Sequence, residues 1–384
     1  MEERKGLKNR GYTHFDVDDR RNAVEKATGT NLENISKFCF DPEKASKNIE
    51  NMIGATQMPL AVAGPVIIKG DFAMGEFIVP LATTEGALVA SISRGMSVIN
   101  DGGGARVKVF QDGMTRAPVF RTEGVDHCVK VMEWIENNTE ALSSIVDTTT
   151  NHGKLTSIES FPAGKNLFIR FTYATGDAMG MNMATIATEA ICREIENRTG
   201  AVMVSVSGNL CSDKKAAAIN MIRGRGKSVI AEALIPKEVV EKRLHASTDS
   251  IVETSIRKNL VGSSLSVTMG ANAHAANMVA AIYIATGQDP AQVVSGSMTT
   301  TMCEDVDGDL YISVRMPSIE VGTVGGGTRL PTQSEALSII GCLGDNKAKK
   351  LAEIVAVTVL AGELSTISAQ AAGHLGKAHQ ELGR

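Results

Sequence analysis

Aromatic side chains are scarce in this chain: Phe, Tyr and Trp make up 4% of 384 residues, with a single tryptophan. Stacking on successive bases is thereby excluded as a main binding mode. Charge of either sign is also scarce in excess, with 39 basic against 43 acidic residues and a formal net charge of −4. A broad basic face is missing, so no nucleic-acid partner is expected. The six cysteines (39, 128, 192, 211, 303 and 342) never form CxxC, the pattern of a reduced intracellular protein. Cys211, close to Lys214, reads as a small packing residue rather than a nucleophile. Long hydrophobic runs are missing too. Stretches such as AANMVAAIYIA at 275–285 fall short of a bilayer span, and the opening MEERKGLKNRGYTHFD has no apolar core of the secretory kind. A soluble, cytoplasmic protein with no membrane contact is expected.

Several familiar motifs are missing as well. GRGKS (224–228) has Met221 where a P-loop needs its first glycine. GTVGGGT (322–328) places Leu330 where GxGxxG needs its third glycine, so a Rossmann fingerprint fails. No tyrosine precedes a lysine by four residues. His374 and His379 are five apart and do not share a helix face as HExxH does, and no other histidine cluster suggests a metal.

What is present is glycine (37) and methionine (17), and a length that suggests two or three domains. Residues 1–50 are charge-rich with helical patches. ALVASISRGMSVI carries Leu88, Ile92, Met96 and Ile99 at helical spacing, with Thr83 or Thr84 as cap and Glu85 in the first turn. Residues 101–121 read as a Gly turn and a strand, then a turn at Asp112–Gly113. Residues 118–206 read strand, helix, strand, helix, strand, which suits a small α/β unit inserted in a larger domain. Residues 215–300 read as mostly helical, 310–324 as a strand, and 333–343 and 347–380 as helices.

Four short motifs place ionisable groups among small residues, where backbone can approach a ligand. They are TTEGALVAS around Glu85, SGNLCSDKK around Lys214, GQD at Gln288–Asp289, and AAGHLGKAH near the C-terminus. Two carboxylates, a lysine and a histidine are the equipment of acid–base chemistry on a carbonyl. Taken singly, each has a plainer reading. Glu85 fits a helix dipole, Asp213–Lys214–Lys215 fits a solvated turn, and either histidine fits a cap or core role. GDAMGMNM opens a helix whose free N–H groups attract anions.

Together with ENMIGATQMPLAVAGP, DGMTR, GRGKSVIAEALIP, KNLVGS, NAHAAN and MPSIEVGTVGGGT, these motifs make residues 50–384 resemble hydroxymethylglutaryl-CoA reductase, in its soluble, archaeal-like class I form. The match is much weaker over residues 1–49. The resemblance implies reduction of a thioester to an alcohol with two hydrides, 3-hydroxy-3-methylglutaryl-CoA to mevalonate, the committing step toward isoprenoids. Catalytic roles carried over by motif are Lys214 stabilising the oxyanion, Glu85 donating a proton at the aldehyde stage, Asp289 bridging the two, and His379 protonating the departing thiolate. Substrate contacts would come from Arg94, Arg116, Ser207, Asp213, Lys215, Lys258, Asn277 and His374. Cofactor contacts would come from Asp177, Met179, Gly180, Met181, Asn182 and Gln288, with backbone support from Gly325, Gly326 and Gly327. GDAMGMNM is the form typical of relatives that use NADPH rather than NADH, with Lys154 and Lys165 as candidates for the 2′-phosphate, and no metal is implied.

The implied fold is α+β. It has a small N-terminal helical region (1–50), a large mainly helical domain around a long central helix (51–116 and 207–384), and an inserted ferredoxin-like cofactor domain (117–206). A homodimer or homotetramer with its active site at the subunit interface follows from the same resemblance, as does a non-proline cis peptide at Cys211–Ser212. Eukaryotic relatives carry an N-terminal membrane region and a serine beyond the catalytic histidine, and this sequence has neither. Two other readings use the same residues. One is a CoA-thioester lyase or hydrolase without hydride transfer, the other a catalytically silent CoA-binding protein.

Overall fold

The computed structural model describes residues 11–373. Its ten strands form one sheet: β1 (Leu60–Lys69), β2 (Met74–Ala82), β3 (Ala105–Arg116), β4 (Val119–Arg121), β5 (Lys154–Ala163), β6 (Asn166–Ala174), β7 (Val202–Ser205), β8 (Gly226–Ile235), β9 (Thr300–Val306) and β10 (Asp309–Ile319). The path runs β7-β4-β6-β3-β8-β10-β9, with β1 attached to β3, β2 to β1, and β5 to β6. Strand pairs are antiparallel except for a short parallel contact of β1 with β3.

The fold is therefore mixed, helices with a largely antiparallel sheet, and in the large part helices outweigh strands. Residues 215–300 are mostly helical as expected, with one interruption at β8, where GKSVIAEALI is a strand. Most of its side chains are buried, on both faces of the sheet. A strand covered on both sides loses its polar alternation and reads as a continuous apolar run. The turn expected at Asp112–Gly113 is absent too, because β3 continues through both residues in register with Lys227 and Gly226 of β8.

β3 ties the molecule together. Arg106–Gly113 pair with β8, and Met114–Arg116 pair with β6. Beyond that junction, β4, two helices (Val125–Asn137 and Thr139–Thr149), β5, β6, the helix Met181–Thr199 and β7 follow in order. Their four strands lie β7-β4-β6-β5. They enclose an apolar cluster of their own, including Phe120, Ile135, Phe171, Ile191 and Ile195. One helix expected over 125–142 is two, broken at Asn138, and β5 was not foreseen. Pro162 and the half-exposed polar residues of KLTSIESFPA hide its period.

The main core surrounds the helix Ala348–Ala371, 19 of whose 24 residues are buried. It is long and apolar enough to cross a membrane, yet 94% of its apolar window is covered by the protein itself. A helix apolar on every side is a core helix here. Helix Leu88–Asp101 packs on it through Gly95, where a Cβ would stand 1.9 Å from Ala361 O. Two carboxylates on the central helix are buried and fully occupied. Glu353 accepts the N–H groups of Asp71, Phe72 and Ala73. Glu363 accepts those of Ala273 and His274 and the Thr301 hydroxyl. All six cysteines are free.

Candidate active site

Three backbone segments named by the sequence meet beside the helix Met181–Thr199. Thr323 N donates to Asp177 O at 2.8 Å, and Gly322 N donates to Gln288 Oε1 at 2.8 Å. A Cβ on Gly322 would lie 2.7 Å from Met179 N, and one on Gly287 would lie 2.4 Å from Gly327 O. Close backbone approach thus explains why GDAMG, GQD and GTVGGG are glycine-rich. Gly180 caps the helix with φ 91, Met181 and Asn182 open it, and the backbone at Gly325 and Gly326 faces open space.

Asp177 and Gln288 take structural work that the motif did not reveal. The Asp177 carboxylate accepts the N–H groups of Asn346, Lys347 and Ala348, capping the central helix. Burial pushes its pKa up, but those three N–H groups outweigh it and hold the carboxyl below its usual range. The Gln288 side chain is used by Gly322 and by Thr286 O.

The second group lies on the loop from Ser207 to Lys215. Lys214 Nζ is 3.0 Å from Asp289 Oδ2, so the lysine–carboxylate pair expected from the motifs is formed. Asn209, Ser212 and Lys214 have φ of 64, 55 and 56, while the one cis peptide bond among the described residues is Gly64–Pro65. The strain expected as a cis bond at Cys211–Ser212 is instead left-handed backbone at residues with side chains. Thr115 Oγ1 donates to Cys211 O at 3.1 Å, and Lys215 Nζ donates to Asp213 O at 3.2 Å. Ser207 Oγ is 3.5 Å from Cys211 Sγ. Burial would raise the Cys211 thiol, but that hydroxyl, the N–H groups of Asp213 and Ala117, and nearby Arg116 leave it lowered. Among the described residues no hydrogen-bond partner meets the buried Arg116 Nε, a donor suited to an anion.

The third group surrounds Glu85, and here the local expectation was wrong. The helix begins at Leu88 after Ala87 at φ 67, with no side-chain cap. Glu85 stands in the turn before it, and its N–H donates to Thr83 Oγ1 at 3.0 Å. Its Oε1 accepts from Asn277 Nδ2 at 3.2 Å, and the same nitrogen lies 3.2 Å from His274 Nδ1. His274 Nε2 reaches Thr366 Oγ1 at 2.6 Å. Asn277 thus links the Glu85 carboxylate to the His274 ring. A cavity of about 370 Å³ is lined by Glu85, Arg94, His274, Asn277, Thr366 and Gln370, among others.

Asn277, expected on the substrate, therefore holds Glu85. Arg94, expected on the CoA portion, is tied by Nε and Nη2 to Ser365, and burial lowers its pKa. Lys258 lies on the helical segment Ser255–Gly262, its Nζ 3.5 Å from Asn259 Oδ1. Among the described residues no hydrogen bond or ion pair joins the Glu85 group to the Lys214–Asp289 pair. His374 and His379 lie outside the described residues. Lys154 pairs with Ala174, beside the GDAMG turn, whereas Lys165 sits at the opposite end of the β5–β6 hairpin. Nine residues of strand separate them, roughly 30 Å, so the two lysines cannot serve one phosphate.

Sequence reasoning missed His274, Arg225, Gln292 and Glu320. His274 lay inside NAHAAN, a quoted motif, and Arg225 inside GRGKS, weighed only as a phosphate loop. Glu320 lay inside MPSIEVGTVGGGT, quoted but not singled out, and Gln292, between an alanine and a valine, gave no signal.

A family model described as hydroxymethylglutaryl-coenzyme A reductase matches residues 16–384. The 3-hydroxy-3-methylglutaryl-coenzyme A reductase of Haloferax volcanii is 52% identical over 380 residues, covering 97% of this chain and 94% of that protein. The enzyme of the same name from Methanocaldococcus jannaschii is 53% identical over 372 residues, covering 95% and 92%. Among solved structures, the class II 3-hydroxy-3-methylglutaryl-CoA reductase of Streptococcus pneumoniae bound to NADPH superposes with a TM-score of 0.71 at 19% identity, over 92% of this chain and 86% of that one. At that identity the likeness speaks for the fold.

Proposed function

The chain belongs to the hydroxymethylglutaryl-coenzyme A reductase family, and from that premise we propose how its residues divide the work. The enzyme reduces 3-hydroxy-3-methylglutaryl-CoA to mevalonate and free CoA, with NADPH as reductant. The observation that carries the assignment of roles is the Lys214–Asp289 contact at 3.0 Å on a loop of left-handed residues. An ammonium held by one carboxylate keeps two further N–H donors for an oxygen that gains charge.

The nicotinamide cofactor fits the cradle of residues 177–182, 288 and 325–327. Backbone there is open at Gly325 and Gly326 and a helix N-terminus lies alongside, suited to a phosphate-bearing ligand. When bound there, NADPH would supply a hydride in each of two stages. Asp177 contributes by fixing the cradle to the central helix rather than by direct contact, and Lys154, paired with Ala174 just before the GDAMG turn, is the candidate for the 2′-phosphate.

Lys214 stabilises the oxyanion that forms when the thioester carbon is reduced, and His379 protonates the leaving thiolate. Glu85, steadied by Asn277, gives a proton to the carbonyl oxygen when the aldehyde is reduced. Each acid–base role is worth about 10²–10⁴-fold. The substrate's free carboxylate meets Arg116, whose buried Nε has no partner among the described residues, with Lys215, Lys258 and Ser207 assisting. Residues 117–206 form the cofactor domain. Its βαββαβ order and β7-β4-β6-β5 strand arrangement suit a ferredoxin-like layout.

Glu85 and Lys214 are brought together by two copies of the chain, one supplying the Glu85 pocket and the other the Lys214 loop. Mixing subunits tests this. Glu85→Gln and Lys214→Ala homomers should each be inactive. A denatured and refolded equimolar mixture should recover roughly a quarter of wild-type activity, because half of the symmetric dimers are mixed and each has one intact site. No recovery, with mixed oligomers shown by mass, would place both residues on one subunit's site.

A further inference from the structure

Arg225 is fully buried and belongs to none of the roles above, yet it touches three parts of the site. Its Nη2 donates to Asp213 Oδ1 at 3.0 Å and to Met181 Sδ at 2.8 Å. Its Nη1 donates to Glu320 Oε1 at 2.9 Å and to Gln292 Oε1 at 3.2 Å. Gln292, also buried, donates its Nε2–H to the same Asp213 oxygen at 2.8 Å. Ser295 Oγ completes the set, donating to Glu320 Oε2 at 2.9 Å and reaching Gln292 Oε1 at 3.2 Å.

These contacts close a ring. Lys214 Nζ meets Asp289. Asp289 caps the turn Pro290–Gln292 through its own side chain. Gln292, at the end of that turn, grips Asp213, the residue beside Lys214. Ser212 and Lys214 flank Asp213 with φ of 55 and 56, a conformation costing about 1–2 kcal/mol per residue. Such a loop keeps its shape only if its surroundings hold it. Two donors on one Asp213 oxygen are that hold. If Arg225 served merely to neutralise buried Glu320, Nη1 would suffice, and neither Nη2 nor Gln292 would need to face Asp213.

We propose that Gln292 and Arg225 are positioning residues that fix the loop through Asp213, so that Lys214 presents its ammonium at a set point beside Asp289. This rests on the role given to Lys214 under Proposed function. It makes Gln292 a determinant of turnover although it lies behind the loop, buried away from substrate.

The test compares Gln292→Glu and Gln292→Leu in the full chain. The glutamate keeps an oxygen toward Arg225 and Ser295 but turns an oxygen, not an N–H, toward Asp213. At pH 8 its kcat for NADPH-coupled reduction should fall about 10- to 100-fold, as expected for a catalytic group displaced by roughly 1 Å, with KM for the thioester nearly unchanged. The ratio of its kcat to wild type should rise as pH is lowered toward 6, because the introduced carboxyl then carries a proton and donates to Asp213 again. Gln292→Leu should lose a similar factor at every pH. Wild-type kcat in Gln292→Glu, a ratio that is flat with pH, or a loss that follows the unfolded fraction seen by circular dichroism would each overturn the proposal. If Gln292→Leu fails to fold, Gln292→Glu decides alone. A Lys214→Ala control separates the two levels. An active control refutes the role of Lys214 itself, whereas an inactive control beside an unimpaired Gln292→Glu refutes only the positioning.

Discussion

Replacing Lys214 separates chemistry from folding, because the structure assigns its side chain little stabilising work. The Lys214–Asp289 pair is partly open to water, with side-chain exposures of 45% and 25%. Pairs of that kind stabilise a fold by about 0–1 kcal/mol. Lys214→Ala should therefore unfold in urea within about 1 kcal/mol of wild type. Lys214→Gly adds a sharper test of the loop. At ordinary positions glycine is less stable than alanine by roughly 0.5–1 kcal/mol. At φ 56 the order should reverse, because glycine escapes a left-handed strain of about 1–2 kcal/mol. Both variants lose the ammonium proposed to face the oxyanion. Removing one such donor raises the barrier by about 3–4 kcal/mol, or 10²–10³-fold in kcat. Removing a full charge should do at least as much. The assay is NADPH oxidation with 3-hydroxy-3-methylglutaryl-CoA, run beside urea melts of all three proteins. Turnover near wild type in either variant would refute the role of Lys214. Glycine less stable than alanine would refute the left-handed loop.

Three other perturbations bear on separate parts of the structure. Asp177→Ala removes the carboxylate that caps the helix Ala348–Ala371, so stability should drop by about 1–2 kcal/mol; an unchanged melt with weakened NADPH binding would make Asp177 a cofactor contact instead. The wild-type stability held by that cap should be lost as pH falls through the lowered pKa of Asp177. Glu320 behaves with the opposite sign: burial pushes its carboxyl up to about 7 despite Arg225, so the native state holds a proton there that the unfolded chain releases near pH 4.3. Stability should fall, on the order of 4 kcal/mol in all, as pH rises from the lower of those values to the higher; Glu320→Gln should flatten that slope, and an identical slope in the variant would show that another group causes it. His379→Gln should slow the thioester stage and spare reduction of the free aldehyde, whereas equal losses in both stages would remove its role as acid to the thiolate.

The site was legible in the sequence wherever function demands small residues around a charge. Lys214, Asp289, Glu85 and the three glycine-rich segments were all named from motifs, and the fold brings the first two into contact and packs the segments backbone to backbone. What the motifs did not disclose is which polar atoms are already occupied. Asn277, Arg94, Asp177 and Gln288 each have protein partners, and no spacing rule distinguishes a residue that binds a ligand from one that braces its neighbour. The fold was legible where one face is buried, as in Leu88, Ile92, Met96 and Ile99 of the helix Leu88–Asp101. It was not legible at β8, where burial on both faces removed the alternation, nor at Asp112–Gly113, where ladder pairing with Lys227 and Gly226 overrides a local turn preference. The Arg225–Gln292–Glu320 cluster lies furthest from sequence reasoning, since its members come from three separate segments.

The most direct measurement is the stoichiometry of nicotinamide oxidation by purified protein given limiting 3-hydroxy-3-methylglutaryl-CoA, followed at the absorbance band of the reduced cofactor with NADPH and with NADH in parallel. A four-electron reduction consumes about two cofactors per thioester and yields mevalonate and free CoA thiol, faster with NADPH. Thiol release without cofactor oxidation, from folded protein, would contradict the reductase reading and return the site to hydrolysis or cleavage of the thioester.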